Sequence, residues 1–123
     1  MNFKVLIADD DYINRMLLVS LLKKTLYQIE IIESVDGEDA LIKLKDNLDV
    51  QLILLDVEMP NMDGSKFLRN YIEDTSFPNI PIIAVSSNDL RIKEILMLGA
   101  DAFIVKPITE KKLLSAIRKA QNR

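Results

Sequence analysis

The chain reads as an α/β protein: a doubly wound, five-stranded parallel sheet with helices on both faces. Two observations predict this. Short apolar runs bounded by polar residues, such as Val5-Leu6-Ile7-Ala8 and Leu52-Ile53-Leu54-Leu55, have the pattern of strands buried on both faces. The segments between such runs carry apolar residues at helical spacing, so strand and helix alternate along the whole chain. Strict alternation implies right-handed crossovers, which place helices on both sides of the sheet.

The elements follow in order. The first strand, 4–8, runs into Asp9-Asp10-Asp11, and a helix follows over 12–26, where Leu18 and Leu22 widen the apolar stripe. A strand over 30–34 and a helix over 38–47 make the second unit. The third strand, 52–56, ends in Asp56 and leads to a helix over 65–73. The fourth strand, 80–85, ends just before Ser86. The helix that follows, 89–98, places Ile92, Ile95 and Leu96 on one face, expected to pack on the sheet, and Gly99 suits its stop. Leu90 and Met97, seven residues apart, fall on the outward side among Arg91, Lys93 and Glu94. The fifth strand, 102–105, ends before Lys106. A last helix over 110–120 has Thr109 as N-cap and Leu113, Ile117 and Ala120 as its buried stripe. No repeat or linker interrupts the pattern, so residues 1–123 are expected to form a single domain.

Composition narrows the chemistry. The 123 residues are 49% hydrophobic and 28% charged, with a net charge of −3, which is ordinary for a globular domain. There is no basic stripe to bind nucleic acid directly. Lys111, Lys112, Arg118, Lys119 and Arg123 read instead as a solvated helix face that suits a helix C-terminus. No run reaches membrane-spanning length, and no signal-peptide pattern opens the chain. Cysteine is absent, which removes disulfides and thiol chemistry and agrees with a cytoplasmic location. Histidine is absent too, which removes Ser-His-Asp catalysis, histidine metal sites and any role as a phosphohistidine donor.

What remains is carboxylate, hydroxyl, amine and bound metal. In open α/β sheets the working site lies at the carboxyl ends of the strands, and two strands here end in acid. Helix capping accounts for one Asp per strand end, not for three in a row plus a fourth. Clustered carboxylates repel unless a cation lies between them, and an all-oxygen set suits Mg²⁺ or Mn²⁺. Ser86 and Lys106 should reach the same edge. A carboxylate nucleophile, a metal, a hydroxyl donor and an ammonium together suit phosphoryl transfer.

The sequence resembles the response-regulator receiver family, the CheY-like domains, along essentially its whole length. Val5-Leu6-Ile7-Ala8-Asp9-Asp10-Asp11 looks like that family's first strand and acidic pair. The segment from Leu54-Leu55-Asp56 through Met59-Pro60-Asn61-Met62-Asp63-Gly64 matches its phosphoacceptor region. Val85-Ser86-Ser87 stands at its hydroxyl position, and Gly99-Ala100-Asp101 through Val105-Lys106-Pro107 matches its closing segment.

The resemblance implies a (βα)5 flavodoxin-like fold with strand order 2-1-3-4-5. It implies Asp56 as phosphoacceptor and Mg²⁺ held by Asp10, by Asp9 mostly through water, by Asp56 and by the Glu58 carbonyl. Ser86 and Lys106 would contact the phosphoryl oxygens, Ser86 and Phe103 would switch together, and Lys106–Pro107 would be cis. The donor would be a histidine kinase or a histidine phosphotransfer protein. Phosphorylation would reshape a face for a downstream partner or for self-association, the surface of the fourth helix, fifth strand and fifth helix carrying it. Glu58 and Asn88 stand where water access is controlled, and the Glu58 side chain would either face attacking water or pair with Lys106.

Two features depart from the family pattern, and one further run is like a subset of it. The stretch from Ser86 to Lys106 is about two residues short, which unsettles the start of the fourth helix. Phe103 lacks the hydroxyl of the usual Tyr. Asp11-Tyr12-Ile13-Asn14-Arg15 is similar to the receivers of hybrid histidine kinases. The competing expectations are a receiver-like module that is never phosphorylated, a haloacid-dehalogenase-like phosphatase using Asp9 and Asp11, and a flavodoxin-like electron carrier. The phosphatase would need Thr where Ile13 stands. The electron carrier would need a phosphate-cradling loop where the acids stand.

Overall fold

The apolar runs become the strands of one sheet. The computed structural model of the chain describes residues 2–122. Its strands are β1 (Phe3–Ala8), β2 (Ile29–Ser34), β3 (Leu52–Asp56), β4 (Ile82–Ser86) and β5 (Ala102–Val105). Its helices are α1 (Tyr12–Thr25), α2 (Gly37–Lys45), α3 (Gly64–Glu73), α4 (Ile92–Met97) and α5 (Glu110–Gln121), with a single 3₁₀ turn, Asp89–Arg91, leading into α4. Every strand pair is parallel and the order is β2-β1-β3-β4-β5, the flavodoxin-like arrangement.

Because side chains alternate across a strand, the sheet feeds two cores. Val5, Ile7, Leu52 and Leu54 face α1 and α5, where they meet Leu18, Leu22, Leu113 and Ile117. Leu6, Ile53, Leu55 and Ile82 face α2, α3 and α4, where Leu44, Phe67, Leu68 and Ile95 cover them. The residues on α5 are those expected from its spacing, and Thr109 caps it by accepting from the Lys112 N–H. Lys111, Lys112, Arg118 and Lys119 are exposed, as expected; Arg123 lies outside the described residues.

Three expectations need correction. The fourth strand begins at Ile82, not at residue 80, and includes Ser86. Pro81 has no N–H to give to a ladder; Ile80 is buried just before the strand and donates to the Tyr71 hydroxyl. Leu96 was expected on the buried face of α4 but is 37% exposed, and only Ile95 is buried along that helix. The 3₁₀ turn winds with about three residues per turn, so a wheel of even 3.6 spacing drawn from residue 89 loses phase. Leu98, half-buried against the core, takes the place expected of Leu96. Leu18 and Leu22, read as widening the apolar stripe of the first helix and so as a fallback interaction face, are 5% and 0% exposed and belong to the core under α1, where no partner reaches them. The apolar residues that α1 presents outward are Tyr12, Ile13, Met16 and Leu17.

Candidate phosphoryl-transfer site

Strand pairing decides what meets at the carboxyl edge. β1 and β3 pair in register through Ala8↔Leu55, so Asp9, just past β1, and Asp56, the last residue of β3, emerge side by side. Asp56 pairs with Val85 on β4, and Ser86 pairs with Val105 on β5. Lys106, whose N–H donates to the Ser86 carbonyl at 2.9 Å, therefore follows at the same edge.

The three consecutive acids have different work. Asp11 is the N-cap of α1, its carboxylate accepting from the N–H groups of Ile13 and Asn14. Asp9 is 2% exposed and one of its oxygens accepts from the Asp11 N–H at 2.9 Å. Asp10 is exposed. One carboxylate oxygen from each of Asp9, Asp10 and Asp56 lies within 4.8 Å of the others.

Asp56 is 5% exposed, and its Oδ1 is buried with no hydrogen-bond partner. The Lys106 ammonium stands 3.6 Å from that oxygen. Burial, then the neighbouring Asp9 charge, pushes the Asp56 carboxyl up to about 7, with Lys106 opposing in part. Burial also raises Asp9, against the pull of the Asp11 N–H and Lys106. Three carboxylates this close, one with an unsatisfied buried oxygen, are poorly arranged for each other. They fit a hard divalent cation such as Mg²⁺ or Mn²⁺, for which all-oxygen donors are suited.

The loop after β3 is held close to the site. Gly64 opens α3 with its N–H on the Val57 carbonyl at 2.8 Å, and a Cβ there would sit 2.8 Å from the Val57 Cα and 3.0 Å from the Asp56 carbonyl oxygen. Backbone cannot step aside as a side chain can. Gly64→Ala should therefore cost about 1–3 kcal/mol and displace the loop that carries Glu58. Denaturant unfolding checks this, and a variant as stable as the parent would show that the loop relaxes freely.

Ser86 is fully buried, and its strand parity turns it toward the α3/α4 side, as it does Phe103. Its hydroxyl donates to Glu58 Oε1 at 2.7 Å and accepts from the Asn88 N–H at 2.9 Å. Glu58 does not pair with Lys106; its other oxygen stands 3.5 Å from Arg91 Nη1. The reason is the same parity, since Lys106 leaves β5 on the face opposite Phe103. The Asn88 side chain caps the 3₁₀ turn by accepting from the Leu90 N–H. Phe103 is half-buried against the α2/α3/α4 core. Lys106–Pro107 is cis.

Two residues of the site had no local signal. Arg15 Nη1 donates to the Asp9 carbonyl at 2.7 Å while its Nε binds Glu33 at 2.8 Å, pinning the backbone that presents the acids. Arg91 joins Glu58 to α4. Both contacts cross between elements, so no spacing rule reveals them.

The family model for the response regulator receiver domain matches residues 5–118. Protein PilG of Pseudomonas aeruginosa is 32% identical over 117 residues, covering 94% of this chain and 84% of its own length. The two-component response regulator ARR15 of Arabidopsis thaliana is 31% identical over 115 residues, and the match covers 85% of this chain but 55% of the relative. The chain thus spans about half the length of ARR15. Among solved structures, chemotaxis response regulator CheY4 of Vibrio cholerae superposes with TM-score 0.85 at 25% identity, covering 98% and 99% of the two chains. The CheX–CheY–BeF3–Mg complex from Borrelia burgdorferi gives TM-score 0.85 at 32% identity, covering 97% and 89%.

Proposed function

Since this chain belongs to the response regulator receiver domain family, a signalling domain of two-component systems, we propose that Asp56 is the residue through which it accepts a phosphoryl group. One observation carries this: a buried carboxylate with an unsatisfied oxygen, at the end of the central strand, facing an ammonium and two further acids. An Asp56 oxygen attacks phosphorus, the P–O bond of an acyl phosphate forms, and the departing imidazole or acetate keeps the electrons of the broken bond. Lys106 offsets charge on the phosphoryl oxygens, and the Ser86 hydroxyl donates to one of them. Asp9, Asp10, Asp56 and the Glu58 carbonyl would hold Mg²⁺ or Mn²⁺, which supplies charge neutralisation at the phosphoryl group. Labelling of wild type and Asp56→Asn with a small phosphodonor tests the assignment.

The donor in this reading is a phosphohistidine on a histidine kinase or histidine phosphotransfer protein, as membership of the receiver family supports. A cytoplasmic location goes with that donor; among the described residues no helix is long and apolar enough to cross a membrane. A dehalogenase-like phosphatase is disfavoured, since Asp11, its required acid/base, is the N-cap of α1. An electron carrier is disfavoured by acids where a flavin phosphate would sit.

Output is assigned to the face of α4, β5 and α5. Leu90 and Met97 are 89% and 78% exposed, and apolar residues this open serve partner binding or self-association. Leu90→Ser with Met97→Ser should leave Asp56 phosphorylation intact and abolish association driven by it, as read by light scattering with and without phosphodonor. Association that survives would move the face to Ile13, Met16 and Leu17 on α1.

A further inference from the structure

We propose that Glu58 and Arg91 are positioning residues that form a latch, holding the Ser86 hydroxyl away from the phosphoryl site until phosphorylation outcompetes them. The inference rests on Asp56 as phosphoacceptor and adds what opposes the switch. A serine hydroxyl has one proton to donate. In this structure Ser86 donates it to Glu58 Oε1 at 2.7 Å, and its oxygen accepts from the Asn88 N–H. A phosphoryl group on Asp56 can recruit that proton only by taking it from a carboxylate, and hydrogen bonds to carboxylates are among the stronger ones.

Glu58 alone would make a loose latch, because its side chain is 46% exposed. Arg91 tightens it. The guanidinium Nη1 stands 3.5 Å from Glu58 Oε2, while Nε and Nη2 both donate to Glu94 Oε1 at 3.2 and 2.8 Å. Arg91 closes the 3₁₀ turn and Glu94 lies in α4, so the guanidinium ties the loop after β3 to the start of α4. Releasing Ser86 from Glu58 detaches from β4 the loop end of that tie, so the Glu58–Arg91 pair is free to shift together. Leu90, next to Arg91 and the most exposed of the large apolar residues, lies on the segment the tie restrains. The device thereby links occupancy of the site to the mobility of the output face through side chains of this chain.

At Arg91 the latch and simple charge balance predict opposite signs. Beryllofluoride binding with Mg²⁺, an analogue of the phosphorylated state, is measured on the full chain. Glu58→Ala should tighten binding by about tenfold, the scale of one charge-assisted hydrogen bond. Arg91→Ala should tighten it by about threefold, since the carboxylate loses its tether, although a positive charge near the site is lost. Weaker binding by Arg91→Ala would overturn the latch and leave charge balance. If the alanine variant fails to fold, Arg91→Gln carries the same test. The Arg91→Ala effect should vanish in a Glu58→Ala background, and its persistence there would overturn the pairing. The gain from Glu58→Ala should shrink in a Ser86→Ala background. An equal gain in both would reduce Glu58 to like-charge repulsion and overturn the latch. Wild type that binds no beryllofluoride would instead overturn the phosphoacceptor assignment.

Discussion

Asp56→Asn should lose phosphorylation by small phosphodonors and by phosphohistidine proteins, to on the order of a thousandth of the wild-type rate or less. Asparagine keeps the size and the strand-end position of Asp56 but has no anionic oxygen to attack phosphorus. The neighbours that offset charge remain, so the loss isolates the nucleophile from its surroundings. Phosphorus-32 labelling in the presence of Mg²⁺, followed on a gel at neutral pH, measures it. Wild-type labelling of Asp56→Asn together with loss of labelling in Asp10→Asn would move the nucleophile to Asp10. Lys106→Ala should retain some labelling, because an ammonium stabilises the transferring group without forming the bond.

The second large effect is on stability without metal. At pH 8 in chelator, Asp56→Asn should melt higher than wild type. The wild-type carboxyl has its folded pKa raised from 3.8 to about 7. Below 3.8 the group is protonated in both states and contributes nothing unfavourable. As the pH rises from there through about 7, the unfolded chain gives up its proton more readily, so the folded state loses stability. Above about 7 the loss is complete, on the order of 2–4.5 kcal/mol, the upper end being the full rise from 3.8 to about 7 at ~1.4 kcal/mol per pH unit. The advantage of Asp56→Asn should therefore be largest at pH 8 and shrink toward pH 5. Asp10→Asn should show a smaller gain, since Asp10 is exposed, and should lose most of the stabilisation that added Mg²⁺ brings to wild type. Circular-dichroism melts at pH 5 and 8, with chelator and with Mg²⁺, decide both. An Asp56→Asn protein less stable than wild type at pH 8 in chelator would mean that Asp56 is a satisfied structural ion-pair partner of Lys106.

Both effects depend on residues that local pattern already marks. Apolar runs ending in acid locate Asp9, Asp10 and Asp56 because burial on both faces is written into consecutive residues, and the carboxyl edge of a parallel sheet is where such strands deliver their next side chain. The bounds of β3 and β5 agree with the reading from sequence alone, since nothing in those runs competes with the extended form. β4 begins two residues later than its apolar run predicts, because apolar character starts at Ile80 while the missing N–H of Pro81 delays the ladder.

The sequence by itself determined the alternation of elements, the acidic strand ends, and the placing of Ser86 and Lys106 at one edge. Tertiary structure alone decided that Ser86 is turned to Glu58, that Glu58 is held by Arg91 and not by Lys106, and that Arg15 braces the Asp9 backbone. It also decided that Leu18 and Leu22 are core while Leu96 is not. Periodicity is a property of one segment, whereas the Ser86–Glu58 bond joins residues 28 apart in sequence. Such a contact exists only once strand register, side-chain parity and the phase of the turn before α4 have together chosen which face each side chain takes.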